Sequence, residues 1–335
     1  MTSKPREEVR IGLIGCGGIA GFHMGNLLRI PEAKIVALAD IKEENIRRLQ
    51  TNFPILSGCE VYGDYRKMLE SSKLDAVEIL TPHTLHFQQA LDSLKAGLHV
   101  LVEKPLVCKV EHARRLIKEA EDAKKVLMVS YQRHYQPMFR YMKHTIESGE
   151  LGDVQFISAL QGQNWLQSTR GTWRQDPALS GGGQLNDSGS HLLDIILWTT
   201  GLGATEVHAY IDNLGAPVDI NSAIALKLSN GAEATIAVVG NSPIWWEDLT
   251  IWGSKGMLLY RNGRLQHVSW GANAILEPLT FPPGPPSPDA NFVNAILGKE
   301  APESPAHCGL RVIELTEAAW KSAKTGKPVK IKQSA

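Results

Sequence analysis

The sequence has no long apolar run and no excess of either charge. Lysine plus arginine and aspartate plus glutamate number 35 each, so the composition indicates neither a nucleic-acid partner nor a strongly charged one. No apolar stretch reaches the roughly 20 residues that cross a bilayer as a helix. Residues 1–8 are polar and lack the apolar core of a secretory signal. We therefore expect a protein that binds neither nucleic acid nor membrane.

Cysteine is also scarce, and its spacing argues against two small-domain architectures. The four cysteines form no Cys-x-x-Cys pair, which disfavours a zinc ribbon and a disulfide framework. Isolated thiols are typical of a reducing compartment, so we expect a cytoplasmic location. A length of 335 residues and a hydrophobic fraction of 43% are sufficient for two domains with complete cores.

The first forty residues contain the pattern of a dinucleotide site: an apolar run (Val9–Ile14), a glycine-rich turn, a helical segment, and a second apolar run that ends at Asp40. The glycines permit a tight turn and the approach of a pyrophosphate, whose charge the helix N-terminus stabilises. A carboxylate after the second strand binds the ribose hydroxyls and repels a 2′-phosphate, which favours NAD over NADP. The alternative is a glycine turn without a ligand. The predicted cofactor contacts here are Gly15, Gly17, Gly18, Ile19, Ala20 and Asp40.

Two patterns of secondary structure follow one another along the chain. Strand-like and helix-like segments alternate up to about residue 130, which predicts a doubly wound parallel sheet, a Rossmann domain, over residues 1–130. Short strand-like segments and the hairpin signals Asn230-Gly231 and Asn262-Gly263 then predict an α+β domain over residues 131–335 with a large, mostly antiparallel open sheet. The strand-like segments are 154–161, 205–211, 221–229, 232–239, 247–252, 256–260 and 264–269.

Two segments near the C-terminus have distinct patterns. The proline-rich Phe281–Asp289 is expected to be a surface loop without helix or strand. Leu310–Lys324 is expected to be a helix with an apolar face. We assign this helix to the second domain, with packing against the first domain as an alternative.

A buried strand ends in a charged pair and a proline, Glu103-Lys104-Pro105. Ligands of doubly wound sheets bind beyond the carboxyl ends of the strands, where a lysine can donate to a substrate hydroxyl or carbonyl oxygen. We therefore predict that Lys104 is catalytic. The alternative is an ordinary lysine at the end of a strand.

A glycine-rich segment, Ser180–Asp194, contains the second set of candidate catalytic residues. Its three glycines, Gly181–Gly183, permit close packing against a neighbour. Asp187 and His191 are four residues apart, so on a helix they share one face, which suits a histidine base tuned by a carboxylate. Two alternatives remain open: Asp187 is only a helix N-cap and His191 a core histidine, or Asp194 is the partner of His191.

Two tryptophans and an arginine precede the triple glycine. Trp165, Trp173 and Arg174 are candidates for a sugar pocket, because a pyranose has an apolar face and many hydroxyls. The alternative is that Trp173 lies in the core and Arg174 forms a surface ion pair. His83 and His86 have a spacing seen in metal ligands, but no third ligand accompanies them, so we expect no metal.

Four motifs occur in order along the chain: Gly15-x-Gly17-x-x-Ala20, Thr81-Pro82-His83-x-x-His86, Glu103-Lys104-Pro105 and Gly181-Gly182-Gly183-x-x-x-Asp187-x-Gly189-x-His191-x-x-Asp194. Together with a stretch from Asn291 to Val329, they resemble the glucose–fructose oxidoreductase, inositol dehydrogenase and MocA family. The resemblance covers nearly the whole chain.

The resemblance implies an oxidoreductase that uses a pyridine nucleotide on a sugar, polyol or related compound. It assigns catalysis to Lys104, Asp187 and His191, places Arg133 near the active site, and implies a homodimer or homotetramer formed through the open sheet. The cofactor contacts that it adds are Thr81, Pro82, His86, Glu103 and Lys104. The candidate substrate contacts are Lys104, Arg133, Trp165, Trp173, Arg174, Asp187 and His191.

The sequence therefore predicts hydride transfer between NAD and a carbinol carbon. On oxidation, His191 accepts the hydroxyl proton, Lys104 stabilises the developing oxyanion and Asp187 tunes the histidine. One alternative is the same fold with a tightly bound NAD that is recycled within a turnover, in elimination, epimerisation or glycoside hydrolysis. The other is a non-catalytic NAD(P)-sensing protein.

Overall fold

The computed structural model describes residues 8–271, 276–278 and 280–332, which divide into two compact units. The first contains the described residues up to Val107, then Glu111–Gln132 and Pro285–Gly309; the second contains Cys108–Val110, Arg133–Gly284 and those from Leu310 onward. The boundary predicted at residue 130 assigned Pro285–Gly309 to the second domain, whereas this segment belongs to the first unit. Within these residues, none of the helices combines the length and the hydropathy of a membrane span.

The first unit is built on a six-stranded parallel sheet with the strand order β3-β2-β1-β4-β5-β6. Its strands are β1 (Val9–Ile14), β2 (Ala33–Ala39), β3 (Glu60–Tyr62), β4 (Ala76–Ile79), β5 (His99–Glu103) and β6 (Leu127–Ser130). The intervening helices are α1 (Ala20–Leu27), α2 (Glu43–Asn52), α3 (Tyr65–Ser71), α4 (His86–Lys95) and α5 (Val110–Ala123). The strand order reverses between β1 and β4, where doubly wound sheets bind their ligands. The predicted Rossmann sheet is confirmed.

The local sequence explains where several of these helices begin and end. Asp64 caps α3 by accepting a hydrogen bond from the backbone N–H of Arg66 at 3.0 Å. Gly97, with a φ of 79°, follows α4 in the left-handed conformation that ends many helices. The start of α3 and the end of α4 are therefore encoded in short-range chemistry.

The second unit contains an eight-stranded sheet with the order β13-β12-β11-β7-β10-β9-β8-β14. Its strands are β7 (Val154–Gly162), β8 (Ala204–Asp212), β9 (Asn221–Leu228), β10 (Glu233–Val239), β11 (Trp246–Gly253), β12 (Gly256–Arg261), β13 (Arg264–Ser269) and β14 (Val329–Lys330). All pairs are antiparallel except β7 with β10. Gly231 and Gly263 adopt positive φ in the two predicted hairpins. The predicted mostly antiparallel sheet is confirmed.

One face of this sheet exposes large apolar side chains. The register pairs Phe156 with Trp252, and the alternation along the strands places Tyr210 on the same face. Tyr210 is 70% exposed, and the other two are more than one third exposed. The homodimer or homotetramer through this sheet stays a prediction, and these side chains are its candidate contacts.

The helices after β6 complete the two units. They are α6 (Pro137–Glu147), α7 (Trp165–Ser168), α8 (Pro177–Ser180), α9 (Gly189–Thr200), α10 (Pro288–Ile296) and α11 (Ala306–Thr325). The expectation of a helix-free loop over Phe281–Asp289 was wrong for its last residues, because Ser287 caps α10 by accepting from the N–H of Ala290 at 3.1 Å. Phe292 and Val293 of α10 are buried in the core of the parallel sheet, which explains why this segment returns to the first unit.

Candidate functional site

The glycine-rich turn lies between β1 and α1 at the carboxyl end of the parallel sheet. Gly15 has a φ of 99°, and a Cβ at this position would lie 2.8 Å from a backbone carbonyl oxygen, so a side chain does not fit. Gly17 and Gly18 have no atom within 4 Å of a built Cβ, so their backbone is open to an approaching ligand. Ile19 is partly exposed, and Ala20, the first residue of α1, is fully buried. The turn offers the accessible backbone and helix N-terminus that a pyrophosphate requires.

Asp40 follows β2, and three neighbouring groups hold its carboxylate. Oδ2 accepts from the backbone N–H of Cys16 at 2.8 Å, and Oδ1 accepts from that of Lys42 at 2.8 Å. The side-chain amide of Asn45 donates to both oxygens at 3.2 and 3.1 Å. The carboxylate is therefore fixed to the glycine-rich turn, while its contact with a ribose diol stays a prediction.

His86 connects two of the predicted cofactor segments. Its buried ring places Nδ1 2.8 Å from the carbonyl oxygen of Pro105 and Nε2 2.8 Å from that of Thr81. Burial lowers the pKa of His86, although the two carbonyl oxygens act in the opposite direction. The imidazole therefore lies within hydrogen-bond distance of both segments, and as a neutral ring it donates to one of the two carbonyl oxygens at a time.

Glu103 fixes the main chain of Lys104 at the carboxyl end of β5. Its Oε2 accepts from the backbone N–H of Lys104 at 3.1 Å, and its Oε1 lies 3.1 Å from Nε2 of His23. Burial alone raises the pKa of Glu103, but the hydrogen bond and charge of His23 outweigh it, so this pKa lies below its ordinary value. An ionised carboxylate therefore anchors the residue predicted to be catalytic.

His23 also belongs to a buried cluster that the sequence analysis did not identify. Its Nδ1 lies 2.6 Å from Oδ1 of Asp289 and 3.4 Å from Oε2 of Glu78. Burial lowers the pKa of His23, but Asp289 and Glu103 raise it well above its ordinary value. Burial, Asp289 and Glu103 raise the pKa of Glu78 to about 8. The one available sequence signal was a glutamate inside the otherwise apolar strand β4.

In the second unit, Asp187 lies in the turn that precedes α9, and His191 lies in the first turn of that helix. The prediction that both share one helix was wrong, because α9 begins at Gly189. Ser188 occupies the N-cap position and makes no side-chain cap hydrogen bond. Asp187 therefore does not occupy the N-cap position of α9.

The carboxylate of Asp187 is instead held by two of the predicted pocket residues. Its Oδ2 accepts from Nε1 of Trp165 at 2.9 Å and from Nε of Arg174 at 3.0 Å. Asp187 is 4% exposed and Trp165 is buried, whereas the Arg174 side chain is 40% exposed. The guanidinium also stacks 4.6 Å from the centre of the Trp173 ring. The structure therefore brings these four residues together, while their contact with a substrate stays a prediction.

Asp194 has a different partner from the one that its spacing suggested. Its Oδ2 lies 2.7 Å from Nε2 of His134, and both side chains are buried. The His134 ring also stacks on Trp198, with 4.2 Å between ring centres. The alternative in which Asp194 pairs with His191 is thus contradicted.

Arg133 forms a buried ion pair in the second unit. Its Nη1 lies 2.5 Å from Oε1 of Glu247, with both side chains nearly inaccessible. This pair gives the guanidinium a structural partner. The role of Arg133 in substrate binding stays a prediction.

The triple glycine is required by close packing around Asp219. A Cβ at Gly182 would lie 2.5 Å from the Trp320 ring, and one at Gly183 would lie 2.0 Å from the backbone oxygen of Asp219. The Asp219 carboxylate accepts from the N–H groups of Gly183 and Leu185 at 2.9 and 2.8 Å. Burial raises its pKa, which these donors counteract. Asp219 thus holds the segment that carries Asp187, and no local motif revealed it, because it lies 36 residues from Gly183.

The glycine-rich turn, its fixed carboxylate and the two sheets define a nucleotide-binding oxidoreductase with a Rossmann fold. Residues 9–131 match the GFO/IDH/MocA model described as an oxidoreductase family with an NAD-binding Rossmann fold. Residues 139–259 match the GFO/IDH/MocA C-terminal domain. The chain therefore belongs to the glucose–fructose oxidoreductase, inositol dehydrogenase and MocA family, as its motifs predict.

Relatives in sequence and in fold include dehydrogenases. The chain is 26% identical over 273 residues to myo-inositol 2-dehydrogenase of Thermotoga maritima, across 76% of each chain. It is 29% identical over 234 residues to 1-carboxy-3-chloro-3,4-dihydroxycyclo hexa-1,5-diene dehydrogenase of Comamonas testosteroni, across 69% of this chain but 58% of that enzyme. Its fold is similar to that of the WlbA dehydrogenase of Bordetella pertussis in complex with NADH and UDP-GlcNAcA, with a TM-score of 0.87 and 24% identity over 98% and 99% of the two chains.

Proposed function

We propose that this protein is an NAD-dependent dehydrogenase that transfers a hydride to or from a carbinol carbon of a sugar, polyol or related compound. Two contacts within the first unit carry the proposal. Glu103 anchors Lys104 at the carboxyl end of β5, and Asp40 holds the glycine-rich turn. The family, which includes a myo-inositol 2-dehydrogenase, supports the substrate class.

Three residues of the chain act on the hydroxyl proton and on the negative charge that develops on the substrate oxygen. When NAD is bound, it supplies the hydride acceptor for the C–H bond that breaks. His191 accepts the hydroxyl proton as the C=O bond forms, and the Lys104 ammonium donates to the oxygen while negative charge develops there. Asp187 stabilises the imidazolium of His191. Reduction follows the same steps in reverse.

The neighbours of Asp187 support a polyhydroxylated substrate. Buried Trp165 is suited to orienting the carboxylate rather than to contacting a ligand. Arg174 is more exposed, and its guanidinium has four N–H groups besides the one that Asp187 accepts. Together with the Trp173 ring, it offers hydrogen-bond donors beside an apolar surface, the combination that binds sugars.

A substrate screen tests this function against its two alternatives. Neutral sugars, polyols and sugar acids are incubated with the enzyme and either NAD or NADP, and both NADH absorbance and product are measured. Net formation of NADH with product supports the proposal. Product without net NADH would indicate a recycled cofactor, and cofactor binding without any product would indicate a sensor.

We expect the unmodified protein to prefer NAD over NADP in kcat/KM. The Asp40 carboxylate repels a 2′-phosphate, and the nearby Arg47 is paired with Glu43 at 2.7 Å. Asp40→Asn keeps an acceptor for Cys16 but removes the charge, so the preference should fall roughly 10-fold or more. Asp122→Asn, at an exposed position of α5, is the control and should leave the preference unchanged. A preference for NADP in the unmodified protein would contradict the assignment.

Asp187→Asn is expected to move the ionisation seen in kcat/KM for oxidation toward lower pH. A carboxylate stabilises the imidazolium of His191 and an amide does so less, so the pKa of the base falls. The measurement is a pH profile of the parent, the variant and the control Asp153→Asn, which is exposed, with a melting curve for each. If Asp187 only holds Trp165 and Arg174, the variant changes KM and leaves the pH profile unshifted. Full activity together with an unshifted pH profile would remove Asp187 from the mechanism.

A further inference from the structure

The buried cluster of the first unit contains a set of atoms suited to a metal ion. Nδ1 of His23, a carboxylate oxygen of Glu78 and one of Asp289 lie within 4.8 Å of one another, and all three residues are buried. They come from three different elements, α1, β4 and α10. One imidazole nitrogen and two carboxylate oxygens form a mixed donor set that divalent transition metals accept.

The surroundings of Glu78 indicate that the cluster binds a ligand. Both of its carboxylate oxygens are buried and accept no hydrogen bond from the residues that the structure describes. Nδ1 of His23 lies 3.4 Å from Oε2 and hydrogen-bonds to Asp289 instead, at 2.6 Å. A buried carboxyl group without a hydrogen bond is strongly unfavourable in either protonation state. Coordination of a cation would satisfy it.

The surrounding groups orient these atoms as the outer residues of a metal centre do. Nε2 of His23 contacts Oε1 of Glu103 at 3.1 Å, the carboxylate–histidine pairing that fixes the ring of a metal ligand. Asn26 donates to Oδ2 of Asp289 at 2.7 Å, while Oδ1 faces His23. A cation with two positive charges would displace the protons that His23 and Glu78 hold, because ligand atoms must be deprotonated, and its charge would be balanced by the surrounding carboxylates.

A surface pocket of the first unit adjoins the cluster. Its lining includes Asn26, Arg29, Pro286, Ser287, Ala290 and Asn294. Asn26 therefore lines the pocket and also contacts Asp289. The pocket therefore lies one side chain away from the cluster.

We propose that His23, Glu78 and Asp289 bind one divalent transition-metal cation, Zn²⁺ or Mn²⁺, through Nδ1, Oε2 and Oδ1. Metal–ligand bonds of about 2.0–2.2 Å place neighbouring ligand atoms roughly 3 Å apart. The separation between His23 and Glu78 is near this value, and the shorter contact between His23 and Asp289 widens on binding. The cation joins α1, β4 and α10. This site does not depend on the proposed reaction, because it is defined by binding alone.

The test uses the full chain without any assay of activity. The purified protein is stripped with a chelator and titrated calorimetrically with Zn²⁺ and, separately, with Mn²⁺; melting curves are recorded with and without each metal. We expect one equivalent of at least one of the two metals to bind per chain and to raise the melting temperature. Absence of saturable binding of either metal to the folded, unmodified protein would overturn the proposal.

Three variants locate the bound metal. Asn26→Ala removes the amide that orients Asp289 and should weaken metal affinity about 10–100-fold; Glu78→Gln removes a ligand and should weaken it more. Glu44→Gln, at an exposed position of α2, is the matched control and should bind like the parent. If Glu78→Gln does not fold, the partly exposed Asn26→Ala decides. Unchanged affinity in the folded variants would place the metal elsewhere and overturn the proposal.

Discussion

Replacing His191 with asparagine is expected to lower kcat/KM roughly 10²–10⁴-fold, the range for loss of a general base. An asparagine side chain has polar atoms but cannot accept the hydroxyl proton, so the C–H bond would break without a base in place. Binding of NAD should be unchanged, because none of the predicted cofactor contacts is altered. Steady-state kinetics with the identified substrate and a separate NAD-binding titration measure the two effects.

The pH profile gives the same experiment a second readout. The parent profile should contain the ionisation of His191, and the His191→Asn profile should lose it. His144→Asn, at an exposed position of α6, is the matched control and should retain both rate and profile. If His191→Asn keeps the parent profile at near-parent activity, another group is the base and His191 is a structural histidine of α9.

Replacing Lys104 with methionine is expected to lower turnover roughly 10²–10³-fold, as for removal of one donor to a developing oxyanion. Methionine has a similar length and lacks the ammonium group. The main-chain bond from Lys104 to Glu103 does not depend on the side chain, so the end of β5 should keep its conformation. Binding of NAD should therefore survive, and the loss should appear in turnover rather than in the melting temperature.

A second lysine provides the control for this prediction. Lys118 of α5 is 75% exposed and pairs with Asp122 across one helical turn, so Lys118→Met removes a positive charge away from the predicted site. It should retain full turnover. Unchanged turnover of Lys104→Met on the true substrate would identify Lys104 as an ordinary lysine at the end of a strand.

Much of the fold could be predicted because its determinants are local. The glycine-rich turn, the apolar strands and the Asn-Gly hairpins each report on a few neighbouring residues. The return of Pro285–Gly309 to the first unit could not be predicted in this way. Phe292 and Val293 would form an apolar helix face in either unit, and only the completed packing shows which core they enter.

The candidate site, too, could be predicted only where its determinants are local in sequence. The spacing of Asp187 and His191 drew attention to this segment, but it could not show that α9 begins between them. The groups that hold the site are distant in sequence: His23 and Asp289 are 266 residues apart, and Asp219 reaches Gly183 from another loop. Such contacts depend on the tertiary fold, and a single sequence carries no local pattern for them.

The packing of the triple glycine affects how enzymes of this architecture can acquire new substrates. Because Gly182 and Gly183 have no room for even one methyl group, the segment that carries Asp187 cannot be reshaped by larger side chains at these positions. The stretch around Trp173 is more exposed, so side chains of other sizes fit there, whereas Arg174 holds the Asp187 carboxylate. Directed evolution of substrate range should therefore randomise positions 172, 173 and 175 and leave Arg174, Gly182 and Gly183 unchanged.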